Sequence, residues 1–286
     1  PYGSGFWGGT PEEYAALARA AARAAREADP KCRLLGPCTY PGSTEWTDRA
    51  LAAGALAGVE IFSYHGYGCL SKPPYDRVNA WAVRAGKPLP RWNTETGISA
   101  KSFYRHTPDL LMDPYTRWLG AIPVDDAVHE TLKLFVLSIA GGDDRFFYYW
   151  TNVEQGMCPR LSAMSIFEYD RSVRPNGIAY AVAASLLDPC KGAGIRELPK
   201  GVTCCLLERD RESVALLWAK TRLGGGTVDL EGLPPGTRLL DTMGNLLAAA
   251  KGGALRVTIT KEPLYLVGPK GAAGKAADAL ERALGR

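Results

Sequence analysis

The chain has 286 residues, 46% of them hydrophobic, enough for one large domain or for a large domain and a smaller one. Lys and Arg number 34 against 30 Asp and Glu, and the net charge of +4 is spread with both signs interspersed, so no nucleic-acid partner is expected. No apolar run reaches the roughly 18 residues of a membrane-spanning helix.

Thr10-Pro11-Glu12-Glu13 predicts a helix start: Thr10 caps, Pro11 fits the first helical position, and Glu13 closes a capping box. The helix runs to about Ala28, with Tyr14, Leu17, Ala18, Ala21 and Ala25 on one face and Arg19, Arg23 and Arg26 on the other, and Asp29-Pro30 stops it. Strand Cys32–Gly36 follows, then helix Thr44–Gly54, strand Val59–Tyr64 ending in His65-Gly66-Tyr67-Gly68, and helix Tyr75–Ala85. Strand Leu89–Thr94 ends at Glu95. The stretch 100–122 is long, irregular and rich in aromatic and polar residues, the kind of loop that usually carries function. Helix Val124–Ala140, strand Arg145–Trp150 and helix Arg174–Leu187 complete a strand–helix alternation that predicts a parallel sheet with helical crossovers. No glycine-rich phosphate loop follows any strand, so nucleotide binding has no support.

After Pro189 the pattern changes. Six short β-rich runs appear between Val202 and Val267, separated by turn signals such as Gly224-Gly225-Gly226 and Pro234-Pro235-Gly236, and they predict a small antiparallel sandwich. The expected organisation is an α/β domain over 1–189, a β-sandwich domain over 190–269 and an Ala/Lys/Arg tail over 270–286, read as a frayed helix. The seven cysteines show no Cys-x-x-Cys or Cys/His ligand spacing and read as mostly free thiols; no metal or organic cofactor is expected.

In α/β sheets and barrels, ligand groups gather at the C-terminal ends of the strands. Those ends hold Ser63, Tyr64, His65 and Tyr67, then Trp92, Asn93, Thr94 and Glu95, then Tyr148, Tyr149, Trp150 and Asn152. Aromatic faces, amides, one His and one carboxylate suit a carbohydrate: rings pack on its C–H face, amides bond its hydroxyls, and a carboxylate attacks the anomeric carbon. His106 and His129 read as structural, Asp125-Asp126 as charge at a helix N-terminus, and Asp143-Asp144 as a turn before a strand.

The series FSYHGYG, LPRWNTETG, RFFYYWTN and RPNGIAYAVAASLL, followed by β-rich runs ending PLYLVGP, resembles the C-terminal half of a clan A retaining glycoside hydrolase of the β-xylosidase/α-iduronidase-like group. The resemblance covers residues 1 to about 268 and rests on the order and spacing of short motifs. It implies a partial (β/α)8 TIM barrel, strands five to eight with their helices, followed by the sandwich. It makes Glu95 the catalytic nucleophile, with His65, Tyr67, Asn93 and Trp150 as substrate-binding residues and a carbohydrate as partner. The family's acid/base Glu belongs to an Asn-Glu-Pro-like motif just before the counterpart of Phe6-Trp7, so the chain is expected to be a fragment that lacks it and is inactive by itself. The rival expectations are a non-catalytic carbohydrate-binding relic of such a barrel and a purely structural module.

Overall fold

The computed structural model describes residues 7–67, 75–83, 86, 88–98, 123–149, 165–167, 171–221 and 223–285. The expected loop over 100–122 and Trp150 lie outside the described residues. Two compact units emerge, one drawn from Pro1–Thr96 with Asp143–Tyr148, the other from Gly97–Gly142 with Tyr149–Arg286.

The first unit holds α1 (Pro11–Ala28), β1 (Leu35–Thr39), α2 (Thr44–Ala52), β2 (Ile61–His65), α3 (Tyr75–Ala82), β3 (Arg91–Thr96) and β4 (Arg145–Tyr148). The expected capping box closes α1: Glu13 N donates to Thr10 Oγ1 at 3.2 Å, and Thr10 N donates to Glu13 Oε2 at 2.7 Å. The strands form a parallel sheet in the order β1-β2-β3-β4, as helical crossovers require. Phe62 and Tyr64, two residues apart on one face of β2, pack into a cluster with Ala15, Leu51, Val78 and Trp81.

Strand ends differ from the expectation. β1 begins at Leu35, three residues later than the start expected at Cys32, and takes in Pro37, tolerable because β1 is a terminal strand. β3 begins at Arg91 and includes Glu95, which therefore lies inside a strand rather than after one. The β1–β2, β2–β3 and β3–β4 pairings each shift register, at Pro37/Thr39, Tyr64/His65 and Asn93/Thr96.

The second unit holds α4 (Val124–Ala140), α5 (Pro175–Leu187), β5 (Lys191–Leu198), β6 (Val202–Glu208), β7 (Glu212–Ala219), β8 (Gly226–Leu230), β9 (Arg238–Leu240), β10 (Leu246–Ala249), β11 (Leu255–Ile259), β12 (Leu264–Pro269) and α6 (Ala272–Leu284). Six strands pair antiparallel in the order β10-β9-β12-β7-β6-β5, and β11 pairs with β8. The alternation Leu255, Val257, Ile259 buried against Arg256 and Thr258 exposed is that of a half-covered strand. One apolar core joins both sheets through Leu217, Leu230, Val257 and Leu266, and Ala273, Ala276, Ala277, Leu280 and Leu284 of α6 belong to it. The expected frayed tail is therefore a packed helix. Its small apolar residues recur every three or four positions and let it sit close to the sheet.

Candidate active site

The site is built where β2 and β3 end. Regular alternation along β3 would put Glu95 on the face shared by Arg91 and Asn93, both buried. The register shift between Asn93 and Thr96 breaks that alternation: Thr96 is buried, and the Glu95 side chain is 33% exposed. A bulge re-aims a side chain in this way, and bulges concentrate next to active sites.

His65 is the pairing partner of Glu95, and its Nδ1 lies 3.6 Å from Glu95 Oε1. Tyr67 Oη donates to the same oxygen at 2.9 Å. Burial of the half-exposed His65 ring pushes its pKa below the usual imidazole value, and the Glu95 charge opposes that shift. The ring is thus held as a neutral group beside a carboxylate that also accepts a phenol hydrogen bond.

Asn93, expected to touch substrate, is only 1% exposed, and its Oδ1 accepts from Gly66 N at 3.0 Å. On the opposite face of β3, Thr94 donates through Oγ1 to Tyr64 O at 3.2 Å and lies 2.8 Å from Ser63 Oγ, which in turn lies 3.2 Å from Cys38 Sγ. Trp92 packs against Phe147, ring centroids 5.7 Å apart. The structure thus brings His65, Tyr67 and Glu95 together and places Asn93 behind them.

One constellation escapes sequence reading. Asp143, read as a turn residue, is fully buried: its Oδ2 accepts from Tyr64 Oη at 2.5 Å, and its Oδ1 pairs with Arg91 Nη2 at 3.2 Å. Arg91 also donates to Asn79 of α3, and its backbone N donates to Asp144 Oδ2 at 2.9 Å. The network ties β2, β3, β4 and α3 together. Its only sequence signal is a charged residue at the head of an apolar strand facing an Asp pair at the head of the next.

Among the described residues no group of three or more His, Cys, Asp and Glu could hold a metal ion. None of their helices is long and apolar enough to cross a membrane.

No protein-family model matches the chain and no curated protein matches its sequence. Solved structures do. A family 39 glycoside hydrolase from the gut symbiont Bacteroides cellulosilyticus WH2 aligns with TM-score 0.65 and 17% identity over 89% of this chain and 54% of its own. A family 30 endoxylanase from Clostridium papyrosolvens C71 aligns with TM-score 0.57 and 15% identity over 94% and 63%. A family 30 subfamily 8 xylanase, Xyn30A, from Clostridium acetobutylicum gives 0.54 and 12% over 92% and 61%. The chain therefore spans between 54% and 63% of the length of these proteins. At these identities the likeness is one of fold, and at that level it bears out the resemblance read from the sequence: the structural neighbours are glycoside hydrolases.

Proposed function

We propose that the chain is the C-terminal portion of a retaining glycosidase, and that Glu95 is its nucleophile. The observation that carries this reading is the convergence of Tyr67 Oη and His65 Nδ1 on one oxygen of a strand-end carboxylate. A phenol hydrogen bond to an ionised carboxylate is charge-assisted, and it fixes that oxygen while the other stays available to attack. The substrate is a carbohydrate, the class that the solved xylanases of like fold act on. Residues 1–189 would supply strands five to eight of a (β/α)8 barrel with their helices, and 190–269 a β-sandwich to which α6 is attached.

In the reaction, a second carboxyl group, in its acid form and from the part of the fold that this chain does not span, protonates the leaving oxygen while Glu95 Oε attacks the anomeric carbon; the same group, now a carboxylate, takes a proton from the water that displaces Glu95 and releases the sugar. The two carboxyls are then about 5–5.5 Å apart. Without the acid the chain should hydrolyse glycosides poorly, since general acid assistance is worth ~10²–10⁴-fold. The test is a mechanism-based 2-fluoro glycoside applied to the protein with the rest of the barrel present, followed by peptide mapping. Label on Glu95, lost in Glu95→Ala and replaced by azide rescue with inverted product, is the expected result. Label on another residue, with Glu95→Ala still cleaving activated aryl glycosides, overturns it. Glycan binding with neither labelling nor turnover would mark a non-catalytic relic.

A further inference from the structure

His65 and Tyr67 flank a single glycine, and that glycine is tied to β3 twice. Gly66 N donates to Glu95 O at 2.9 Å and to Asn93 Oδ1 at 3.0 Å, a shared hydrogen bond from one buried N–H. The two acceptors stand on either side of the irregular step in the β2–β3 pairing, where Tyr64 pairs with Asn93 and His65 with Glu95, so the shared bond spans that step. The approach is too close for any side chain at 66: a Cβ there would meet the Asn93 Cγ and Oδ1 at 2.9 Å, tighter than real Cβ contacts. Glycine is needed here for space, so that one backbone can lie against another's side chain.

We propose that Asn93 and Gly66 form a latch that positions His65 and Tyr67 on Glu95: the pair acts on the carboxylate only through the turn 65–67 and does not touch the reacting atoms. The Tyr67 and His65 contacts to Glu95 Oε1 reach across from the next strand, and in the described structure the turn that carries both is pinned to β3 at Gly66. Releasing the pin lets the turn move outward, and both contacts lengthen together. This assigns Asn93 a positioning role in place of the substrate contact expected from sequence. The consequence for catalysis rests on the reading of Glu95 as nucleophile; the latch itself does not.

The experiment is therefore read on the 286-residue chain by a signal that needs no turnover. The chain has three histidines, and the His65 imidazole resonance is identified by its loss in His65→Gln. In the natural chain, Glu95→Gln should shift the His65 titration downward, because the carboxylate charge raises it. In an Asn93→Ala background, that response should be lost. Gly66→Ala should do the same, and Gly66→Ala combined with Asn93→Ala should be more stable than Gly66→Ala alone, since the colliding amide is gone. Should Asn93→Ala fail to fold, amide hydrogen exchange in the natural chain decides: Gly66 N–H should be protected well beyond its neighbours in the turn. A full His65 response to Glu95→Gln in folded Asn93→Ala, or fast exchange at Gly66, overturns the latch. If the latch behaves as described and the fluoro-glycoside labels another residue, the geometry stands and the nucleophile assignment fails. The two failures are thus distinguishable.

Discussion

The parallel sheet of the first unit and the antiparallel sheet of the second bury different chemistry. On β2 and β3 the buried positions include Ser63, Arg91, Asn93 and Thr96. On β6, β7 and β12 they are almost all apolar: Val202, Cys204, Leu206, Val214, Leu216, Leu217, Leu266 and Val267, with Thr203 and Ser213 as polar exceptions. Apolar burial is non-directional and stabilises in proportion to area. Buried polar groups must find partners at fixed distances and angles, so they dictate register. The difference teaches where each unit's specificity lies. The first fixes the aim of a few side chains through hydrogen bonds across its strands, and the candidate site sits on that frame. The second is closed by packing, with α6 completing its core.

The sharpest break of this contrast is at Asp143. Asp143→Ala leaves the Arg91 guanidinium, 4% exposed, without its carboxylate, and it also removes the acceptor of Tyr64. Breaking a buried pair from one side costs about 3–5 kcal/mol. Denaturant unfolding of the variant measures this; a loss under about 1 kcal/mol would mean that the network is not what holds β2, β3 and β4. Replacing both partners, Arg91→Met with Asp143→Leu, should restore most of the stability, because the uncompensated charge is gone. It should not restore the aim of β2 and β3, so the His65 response to Glu95→Gln is expected to stay impaired.

In the second unit the matching test is Leu280→Ala. Leu280 lies on α6, fully buried in the core shared by both antiparallel sheets. Deleting a buried leucine side chain costs about 2–5 kcal/mol, from lost transfer energy and the cavity left behind. A change within about 0.5 kcal/mol, the usual range for surface positions, would return residues 272–284 to the status of a loose tail.

That helix shows what sequence could and could not reveal. Helix α4 and strand β6 were legible to the residue, because each is a sustained apolar pattern between clear stops. Glu95, His65 and Tyr67 were legible as a group because they follow apolar runs at successive strand ends. Helix α6 misled, since an Ala-rich segment with scattered charges looks alike whether frayed or docked; only the sheet it meets decides. Strand β5, KGAGIREL, passed unnoticed because two glycines and three charged residues erase any period-2 signal, and pairing with β6 supplies what propensity does not. Strand β10, LLAA, carries too little pattern to read. At β3 the sequence could not show the register shift, which depends on backbone pairing with neighbouring strands. Nor could it show the surroundings of Asn93: an amide two residues before Glu95 reads as a ligand group, and in the structure it is buried and accepts from Gly66 N.

The smallest expected effect compares one histidine from each unit. Burial pushes the pKa of both His65 and His129 below the ordinary imidazole value of 6.5. At His65 the charge of Glu95 opposes the shift. At His129, Glu262 and Asp126 oppose it while Lys133 and Lys261 add to it. A lowered folded value means that the fold favours the neutral ring. Between that lowered value and 6.5, the unfolded chain binds more protons than the folded one, so stability rises with pH through the window and falls as the solution is acidified. Each histidine should contribute its own part of this acid-side decline. His65→Gln and His129→Gln should each make the stability curve shallower below pH 6.5 and leave its slope between pH 7 and 8 unchanged. Glu95→Gln should act in the opposite sense and through the first unit alone: with the opposing charge gone, His65 resists protonation further, and the decline steepens by an increment that His65→Gln abolishes and His129→Gln does not. Urea midpoints across pH 5–8 for the three single variants and the two double variants that carry Glu95→Gln measure it. A steepening that survives in the Glu95→Gln, His65→Gln double variant would show that the two side chains do not sense each other, and the pairing of a neutral ring with the carboxylate would have to be given up.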